Sequence, residues 1–364
     1  MKFIYEMQLF FVNLHLEKYF ALMQDRILQL DTLIEGSSKV FIVTHTRPDG
    51  DAVGSSTALA SYLKECRGKD VCVALPNPAQ KNLMFLTEGI DVLDYSREPA
   101  ETEARLAAAD LVFCLDAPGF HRTDALEDAL AASRAKKVLI DHHLGPSEEQ
   151  FCLVFSQTRV SSASELLYQV LMGLPDIGGN AAELPAACAR SLMCGMTTDT
   201  NNFANSVYPT TLEMASRLLA AGVDRDAILE HIYHSYAENR VRLIGYLLYE
   251  KLAVRANGLA YIIFTRKEQK RFAYGEGDGE GIVNMPLAVE SVRMSLMLSE
   301  DDGFFRVSIR SKAGVSANAC ARRYFNGGGH EQAAGGRLYL GREIASAEEL
   351  AAYVEKSCAE FLEV

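Results

Sequence analysis

The chain contains no CxxC pair, although it has eight cysteines (Cys66, Cys72, Cys114, Cys152, Cys188, Cys194, Cys320 and Cys358). That argues against a zinc ribbon, and with no export signal the thiols read as reduced core groups. No uncharged apolar run reaches the roughly 20 residues of a membrane span, because Glu6, His15, Glu17 and Lys18 interrupt the apolar N-terminus. A basic leader followed by a clean apolar run and a small-residue cleavage site is also missing, so the expectation is a cytoplasmic protein with no membrane partner. Positive charge is scarce as well: Lys plus Arg total 36 against 48 Asp plus Glu, a formal charge of −12. A general nucleic-acid coat is thereby excluded, and a phosphorylated substrate would need metal ions or a local basic patch. The GxxxxGK[ST] phosphate loop, a GxGxxG turn after a strand and the GxSxG elbow are all absent, as are internal repeats and low-complexity tracts.

What is present is a chain of 364 residues, 49% hydrophobic and 23% charged, enough for two domains with cores of their own. Residues 1–36 are expected to form a helical extension, an amphipathic helix packed on the body, with Met23 as an alternative start. From Lys39 short apolar runs alternate with helical stretches. Lys39–Thr44, Val71–Leu75, Leu111–Leu115 and Val138–Ile140 read as strands, separated by helical segments near 55–66, 101–109 and 123–134. Continuous apolar strands between helices predict a parallel sheet with helices on both faces. After Ser161 the pattern is helical over 163–173, 182–197, 210–221 and 225–236. The expected divisions are an α/β domain over 37–236, a helical connector without chemistry over 237–256, and a smaller mixed α/β C-terminal domain over 257–364, opened by the strand Leu259–Thr265 and lying across a cleft.

The strongest chemical signal follows the first strand, in Thr44-His45-Thr46-Arg47-Pro48-Asp49-Gly50-Asp51-Ala52-Val53-Gly54-Ser55. A histidine with carboxylates four and six positions later sits on a Pro/Gly loop at a strand's C-terminal end, where open α/β sheets bind ligands. The plainer reading is a polar loop whose acids cap the next helix. Two more strand ends deliver similar groups, Asp116 and then Asp141-His142-His143, and Asp199 closes an apolar helical segment. Singly these are turn or cap residues; together His45, Asp49, Asp51, Asp116, His142 and Asp199 are expected to converge on one edge of the sheet. Two imidazoles and four carboxylates without thiolate suit hard or borderline divalent ions, Mn²⁺ first, with Mg²⁺ or Co²⁺ as substitutes. Six ligands suit a pair of ions about 3.5–4 Å apart, which would lower the pKa of a bridging water and neutralise phosphate oxygens.

A second signal lies in the C-terminal part. Between Gly303 and Leu340 six cations (Arg306, Arg310, Lys312, Arg322, Arg323 and Arg337) face one acid, Glu331. Ser308, Arg310 and Lys312 alternate on one face of an expected strand. Asn326-Gly327-Gly328-Gly329-His330 is either a flexible turn or a loop whose backbone N–H groups approach a phosphate.

These motifs, in this order, resemble those of the DHH phosphoesterase superfamily. The stretches Glu280–Asn284, Ser308–Lys312 and Gly327–His330 resemble its DHH-associated C-terminal domain, and the whole is most similar to the nano-RNase A group of bifunctional oligoribonucleases and 3′-phosphoadenosine-5′-phosphate phosphatases. The resemblance implies one ion on His45, Asp49 and Asp116 and another on Asp51, Asp116, His142 and Asp199. It implies that Asp141 orients His142, that His143 faces the scissile phosphate and that Arg122 lies near the substrate. It implies further that Ser308, Arg310, Lys312, Gly327, Gly328, Gly329 and His330 bind substrate, gripping the far phosphate or the nucleobase. The expected partners are short single-stranded RNA or DNA oligonucleotides or 3′-phosphoadenosine-5′-phosphate, with a homodimer left open. Alternatives are a pyrophosphatase- or exopolyphosphatase-like anhydride hydrolase and a cyclic or linear dinucleotide phosphodiesterase.

Overall fold

A computed structural model describes residues 23–362 apart from Glu276, Glu280 and the side chain of Ala347. The chain divides into two compact units, 1–234 and 235–364. The first is built on six strands: β1 (Lys39–Val43), β2 (Asp70–Leu75), β3 (Asp91–Asp94), β4 (Leu111–Leu115), β5 (Lys136–Asp141) and β6 (Leu153–Ser156). They are all parallel, in the order β3-β2-β1-β4-β5-β6. The sheet grows outward in opposite directions from β1 and β4, and the carboxyl ends of strands at such a switch point leave a crevice. β3 and β6 escape sequence reading because DVLD and LVFS are only four residues long and edged by Asp or Ser.

Side chains alternate between the faces of the sheet, as a two-residue period requires. Val40, Ile42 and Phe113 enter one core, which also receives Val53 from α2 (Gly50–Glu65), Leu166 from α5 (Ala163–Gly173) and Leu192 from α6 (Ala186–Asp199). The helices α7 (Pro209–Ala220) and α8 (Arg225–Tyr233) add Met214 and Ile228 to it. Phe41, Val43, Val112 and Cys114 enter the opposite core with Leu106 of α3 (Pro99–Ala108) and Leu130 of α4 (Glu127–Ala132). The expected parallel sheet with helices on both faces is what the first unit contains. Residues 1–22 of the expected N-terminal extension lie outside the described residues. The helix α1, over 23–35, is anchored by Ile27, Leu30 and Ile34, all buried at i, i+3 and i+7. Arg67 ties it down further, its guanidinium meeting Asp31 and Glu35 at 2.7 Å each.

The contact that shapes the site is between α2 and α6. A Cβ added at Gly54 would stand 2.8 Å from the Ser191 carbonyl oxygen and 2.9 Å from Cα of Gly195; one at Gly50 would meet Thr198 Oγ1 at 2.4 Å. At Gly195 it would meet Oγ of Ser164 at 2.0 Å and a carboxylate oxygen of Asp51 at 2.8 Å. The two helices therefore pack backbone to backbone, which only glycine allows. This brings the first turn of α2, with Asp51, beside the last turn of α6, with Asp199.

The second unit is a mixed sheet in the order β11-β12-β10-β9-β8-β7, where β7 is Leu252–Val254, β8 Leu259–Phe264, β9 Met294–Glu300, β10 Phe304–Ser311, β11 Gly328–Gly329 and β12 Ala333–Tyr339. Only the β8–β9 pair is parallel among these strands. One face packs on α11 (Ala317–Tyr324) and α12 (Leu350–Leu362); Ile262, Phe264 and Met297 on the other pack with Leu243 of α9 (Glu238–Tyr246). The 237–256 stretch, expected as a connector, folds within this unit. It contains α9, a π-helical turn over Leu247–Lys251 and β7, which pairs with β8. Three residues of weak alternation gave no strand signal there, and the sheet register supplies it.

The helix crossing yields a prediction. Gly54→Ala should destabilise the first unit by about 1–3 kcal/mol, the usual toll of overpacking. Gly245→Ala in α9, where an added Cβ meets nothing within 4 Å, should stabilise the second by about 0.5–1 kcal/mol. Calorimetric melting of both variants checks this, and a Gly54→Ala transition at the wild-type temperature would rule out the backbone contact.

Candidate metal centre

His45 leaves the end of β1 with its ring fixed by its neighbour: Nδ1–H donates to the Thr46 carbonyl at 2.9 Å, so Nε2 faces inward. That Nε2 lies 3.4 Å from Asp116 Oδ2 and 3.9 Å from Asp49 Oδ1. Asp49 does cap α2, accepting from the amides of Asp51 and Ala52 at 3.1 Å each. The capping reading and the site reading thus hold together, since the cap aims the carboxylate at His45. Asp51 is buried, and both its oxygens are gripped by the start of α5: Ala163 N–H donates to Oδ2 at 2.6 Å and Ser164 N–H to Oδ1 at 2.9 Å. These two donors, at a helix N-terminus that favours negative charge, were not picked out from the sequence. The serine N-cap Ser162 ahead of an apolar helical run was the available signal.

Asp116 is the centre of the arrangement. It follows β4 with φ at 54°, a left-handed conformation unusual for a residue with a side chain, and its amide donates to the Ile140 carbonyl at 3.1 Å. Its Oδ2 faces His45, while Oδ1 lies 3.4 Å from His142 Nε2 and 3.7 Å from His143 Nδ1. His142 Nε2 also lies 3.6 Å from Asp199 Oδ2 and 3.9 Å from Asp51 Oδ2. Ligand-type atoms consequently gather in overlapping groups, among them His45–Asp49–Asp116, Asp51–Asp116–His142 and Asp116–Asp141–His143, with Asp116 in all three and Asp199 beside the second.

The electrostatics of these side chains are those of a cation site. Burial pushes the Asp51 carboxyl well above the usual range, helped by repulsion from Asp116 and Asp199. Burial also raises Asp199, to about 6, against the pull of His142. Burial opposes protonation of His45, but Asp116 and Asp49 outweigh it and hold its pKa up at about 9. For Asp116 burial works against ionisation and loses, because His142 and His45 hold the carboxyl far below its usual range. Oδ1 of Asp116 is nevertheless buried without a hydrogen bond among the described residues. A buried anionic oxygen with no donor is costly, and a divalent cation would satisfy it. The donor set of imidazole nitrogens and carboxylate oxygens fits such an ion.

Asp141 and Lys312 behave differently from expectation, while Arg122 is joined through its backbone to the loop between His45 and Asp49. Asp141, fully buried at the end of β5, gives both its oxygens to His143, one to Nδ1 at 2.7 Å and one to the amide at 3.1 Å, where the resemblance had it orient His142. The tight turn after β5 explains this, because a residue two places on folds back over the strand end. Arg122, in a short 3₁₀ turn, is exposed, and its carbonyl accepts from the Thr46 amide at 2.8 Å. Lys312 leaves the β10 face on which it was expected and donates to the carbonyls of Val289 and Glu290 at 2.9 and 3.1 Å.

In the second unit Arg306, Ser308 and Arg310 share one half-buried face of β10, opposite Arg337, Gly335 and Ala333 of β12. Gly328–Gly329 is a short strand paired to β12, not a flexible turn. A Cβ at Gly327 would collide with the Gly335 carbonyl at 1.8 Å. The amides of Gly327, Gly329 and His330 donate to Ala321, Asn318 and Ala333. The expected cradle of free N–H groups is therefore corrected for these three, since α11 accepts from two of them and the hairpin from the third. Glu280, the first residue of one motif, lies outside the described residues.

Residues 39–196 match the DHH family, N-terminal domain, and residues 268–360 match the DHHA1 domain. A solved structure described as an exopolyphosphatase-related protein from Bacteroides fragilis is 34% identical, with a TM-score of 0.85 over 93% of this chain and 97% of its own. The chain belongs to the DHH family. It is a phosphoesterase of that family, its DHH domain followed in sequence by a DHHA1 domain. The bifunctional oligoribonuclease and PAP phosphatase NrnA of Bacillus subtilis (strain 168) is 28% identical over 326 residues, 88% of this chain and 95% of its own. The probable NrnA of Streptococcus mutans is 29% identical over 312 residues, 84% of this chain and 91% of its own.

The metal-free form of this DHH protein should lose stability with rising pH. The sign follows from the raised pKa values: His45 contributes most below about 6.5 and the contribution is lost as pH rises through about 9, while Asp199, raised to about 6, becomes an unfavourable buried anion above that value. Thermal melting of chelator-treated protein at pH 6.5 and 9 should show the fall, and Asp116→Asn should flatten it. A melting temperature that climbs over this window would contradict the assignment.

Proposed function

We propose that the chain hydrolyses short oligoribonucleotides to mononucleotides and removes the 3′-phosphate of 3′-phosphoadenosine-5′-phosphate, using a pair of divalent ions, Mn²⁺ first. The observation that carries the reading is the sharing of Asp116 between two ligand groups. The substrate class rests on relatives named for these activities that align over both domains.

His45, Asp49 and Asp116 would hold one ion; Asp51, Asp116, His142 and Asp199 would hold the other. When bound, such a pair supplies an activated water and neutralises charge on phosphate oxygens. The rest is the work of the chain. The Thr46 carbonyl fixes the tautomer of His45. The α5 amides hold Asp51 in one orientation despite burial. Asp141 accepts a hydrogen bond from Nδ1–H of His143, which leaves Nε2 for the phosphoryl group or the departing oxygen. In the second unit Ser308, Arg310 and His330 bind the substrate with a small cationic surface suited to a few nucleotides. The compact grip and the net charge of −12 both disfavour long polymers, whose binding needs a broad basic surface. All eight cysteines are unpaired and no helix among the described residues is long and apolar enough to cross a membrane, which supports the cytoplasm as the place of action.

Purified protein with Mn²⁺ should hydrolyse a 5′-phosphorylated RNA dimer and 3′-phosphoadenosine-5′-phosphate, and His142→Ala should lose both activities. Turnover of pyrophosphate alone would replace this reading with the anhydride-hydrolase alternative. Asp116→Ala should abolish turnover and bind metal with less than the wild-type stoichiometry. Arg310→Ala and His330→Ala should raise KM about tenfold, the usual worth of one charge-assisted contact; an unchanged KM in both would remove the second unit from substrate binding.

A further inference from the structure

The loop between His45 and Asp49 contains a residue under unusual strain. Arg47 has φ at 55°, in the left-handed region, and it precedes Pro48. Both conditions are unfavourable. A residue with a Cβ seldom enters that region, and the residue before a proline is pushed towards extended backbone. Strain of this kind persists only where surrounding structure enforces it, and it concentrates at functional sites. Here two hydrogen bonds enforce it. The Arg47 amide donates to Asn77 Oδ1 at 2.8 Å, and the Thr46 amide donates to the Arg122 carbonyl at 2.8 Å. Glycine would adopt this backbone without strain, yet the position holds the longest cationic side chain available.

The second bond also places the backbone of Arg122 against Thr46, one residue from Arg47. Both arginine side chains are exposed, while Asp116, Asp51 and Asp141 are almost wholly buried. The reacting phosphate belongs with the buried carboxylates and histidines; exposed guanidiniums at the rim meet the part of the substrate that does not react. A guanidinium presents a planar fork of N–H donors matched to phosphate oxygens, and it offsets the repulsion that this acidic unit exerts on a second phosphate.

We propose that Arg47, with Arg122 beside it, binds the non-scissile phosphate of the substrate and so makes the enzyme prefer short substrates carrying a terminal phosphate. This deepens the functional reading above and rests on it: a 5′-phosphorylated dinucleotide and 3′-phosphoadenosine-5′-phosphate share a phosphate away from the bond that is cut.

The test compares an RNA dimer with and without its 5′-phosphate on wild type, Arg47→Gly and Arg47→Lys, with melting temperature recorded for each. The proposal expects wild type to prefer the phosphorylated dimer in kcat/KM. In Arg47→Gly that preference should shrink about tenfold through KM, with kcat held within about threefold, while the melting temperature stays level or rises because the strain is relieved. Arg47→Lys should recover part of the preference. Equal preference for the two dimers in wild type overturns the proposal, as does an equal loss on both dimers in Arg47→Gly. Either result leaves the oligoribonuclease reading standing, whereas failure of wild type to cut any dimer removes that reading and this inference with it.

Discussion

Four carboxylates crowded together, two of them almost wholly buried, repel one another, and the first unit is organised around holding them there. Asp116 does most of this: it stands between His45 and His142, and both imidazoles help to keep it ionised. The other acids are restrained from different directions. The first turn of α2 binds Asp49, the start of α5 binds Asp51, and α6 carries Asp199 in at its last residue. No single element could bring these groups together. A parallel sheet does so because every strand ends on the same edge, and a switch in strand order leaves that edge uncovered.

Much of this was legible in the residues. Leu111–Leu115 is the strand that its apolar run foretold, and 163–173 is the helix that its spacing foretold, because both are buried continuously on the faces that periodicity marks. The six expected ligand positions could be read because each lies one or two residues past a strand end or at a helix terminus, where local sequence sets position. What could not be read depends on partners far away in the chain. The grip of Ala163 and Ser164 on Asp51 crosses more than a hundred residues and uses backbone amides, which carry no residue signature. The pairing of Asp141 with His143 in place of His142 depends on how a turn folds back over its own strand. The glycines of 327–329 offered two readings, and both gave way to a third, a strand whose neighbour leaves no room for side chains.

The two units solve different problems. The first concentrates charge and must neutralise it, so its polar groups are buried and mutually constrained. The second keeps its cations on a half-covered sheet face, where Arg306 pairs with Asp301 and Arg337 stacks over Phe304. Cations held by such contacts stay partly solvated and can exchange partners without disturbing the core. A surface of that kind discriminates weakly by itself, and selectivity then depends on where along the substrate each charge is met.

The backbone contact between α2 and α6 has a mechanical meaning. Helices separated by long side chains can slide or part slightly, because rotamers absorb the movement. Helices touching through Gly54 and Gly195 have no such cushion, so the segments bearing Asp51 and Asp199 behave as a single rigid strut. Ions of different radius must then be accommodated by rotation of the carboxylates about their own bonds. Selectivity among cations becomes a property of side-chain torsions, set by the hydrogen bonds that restrict each one.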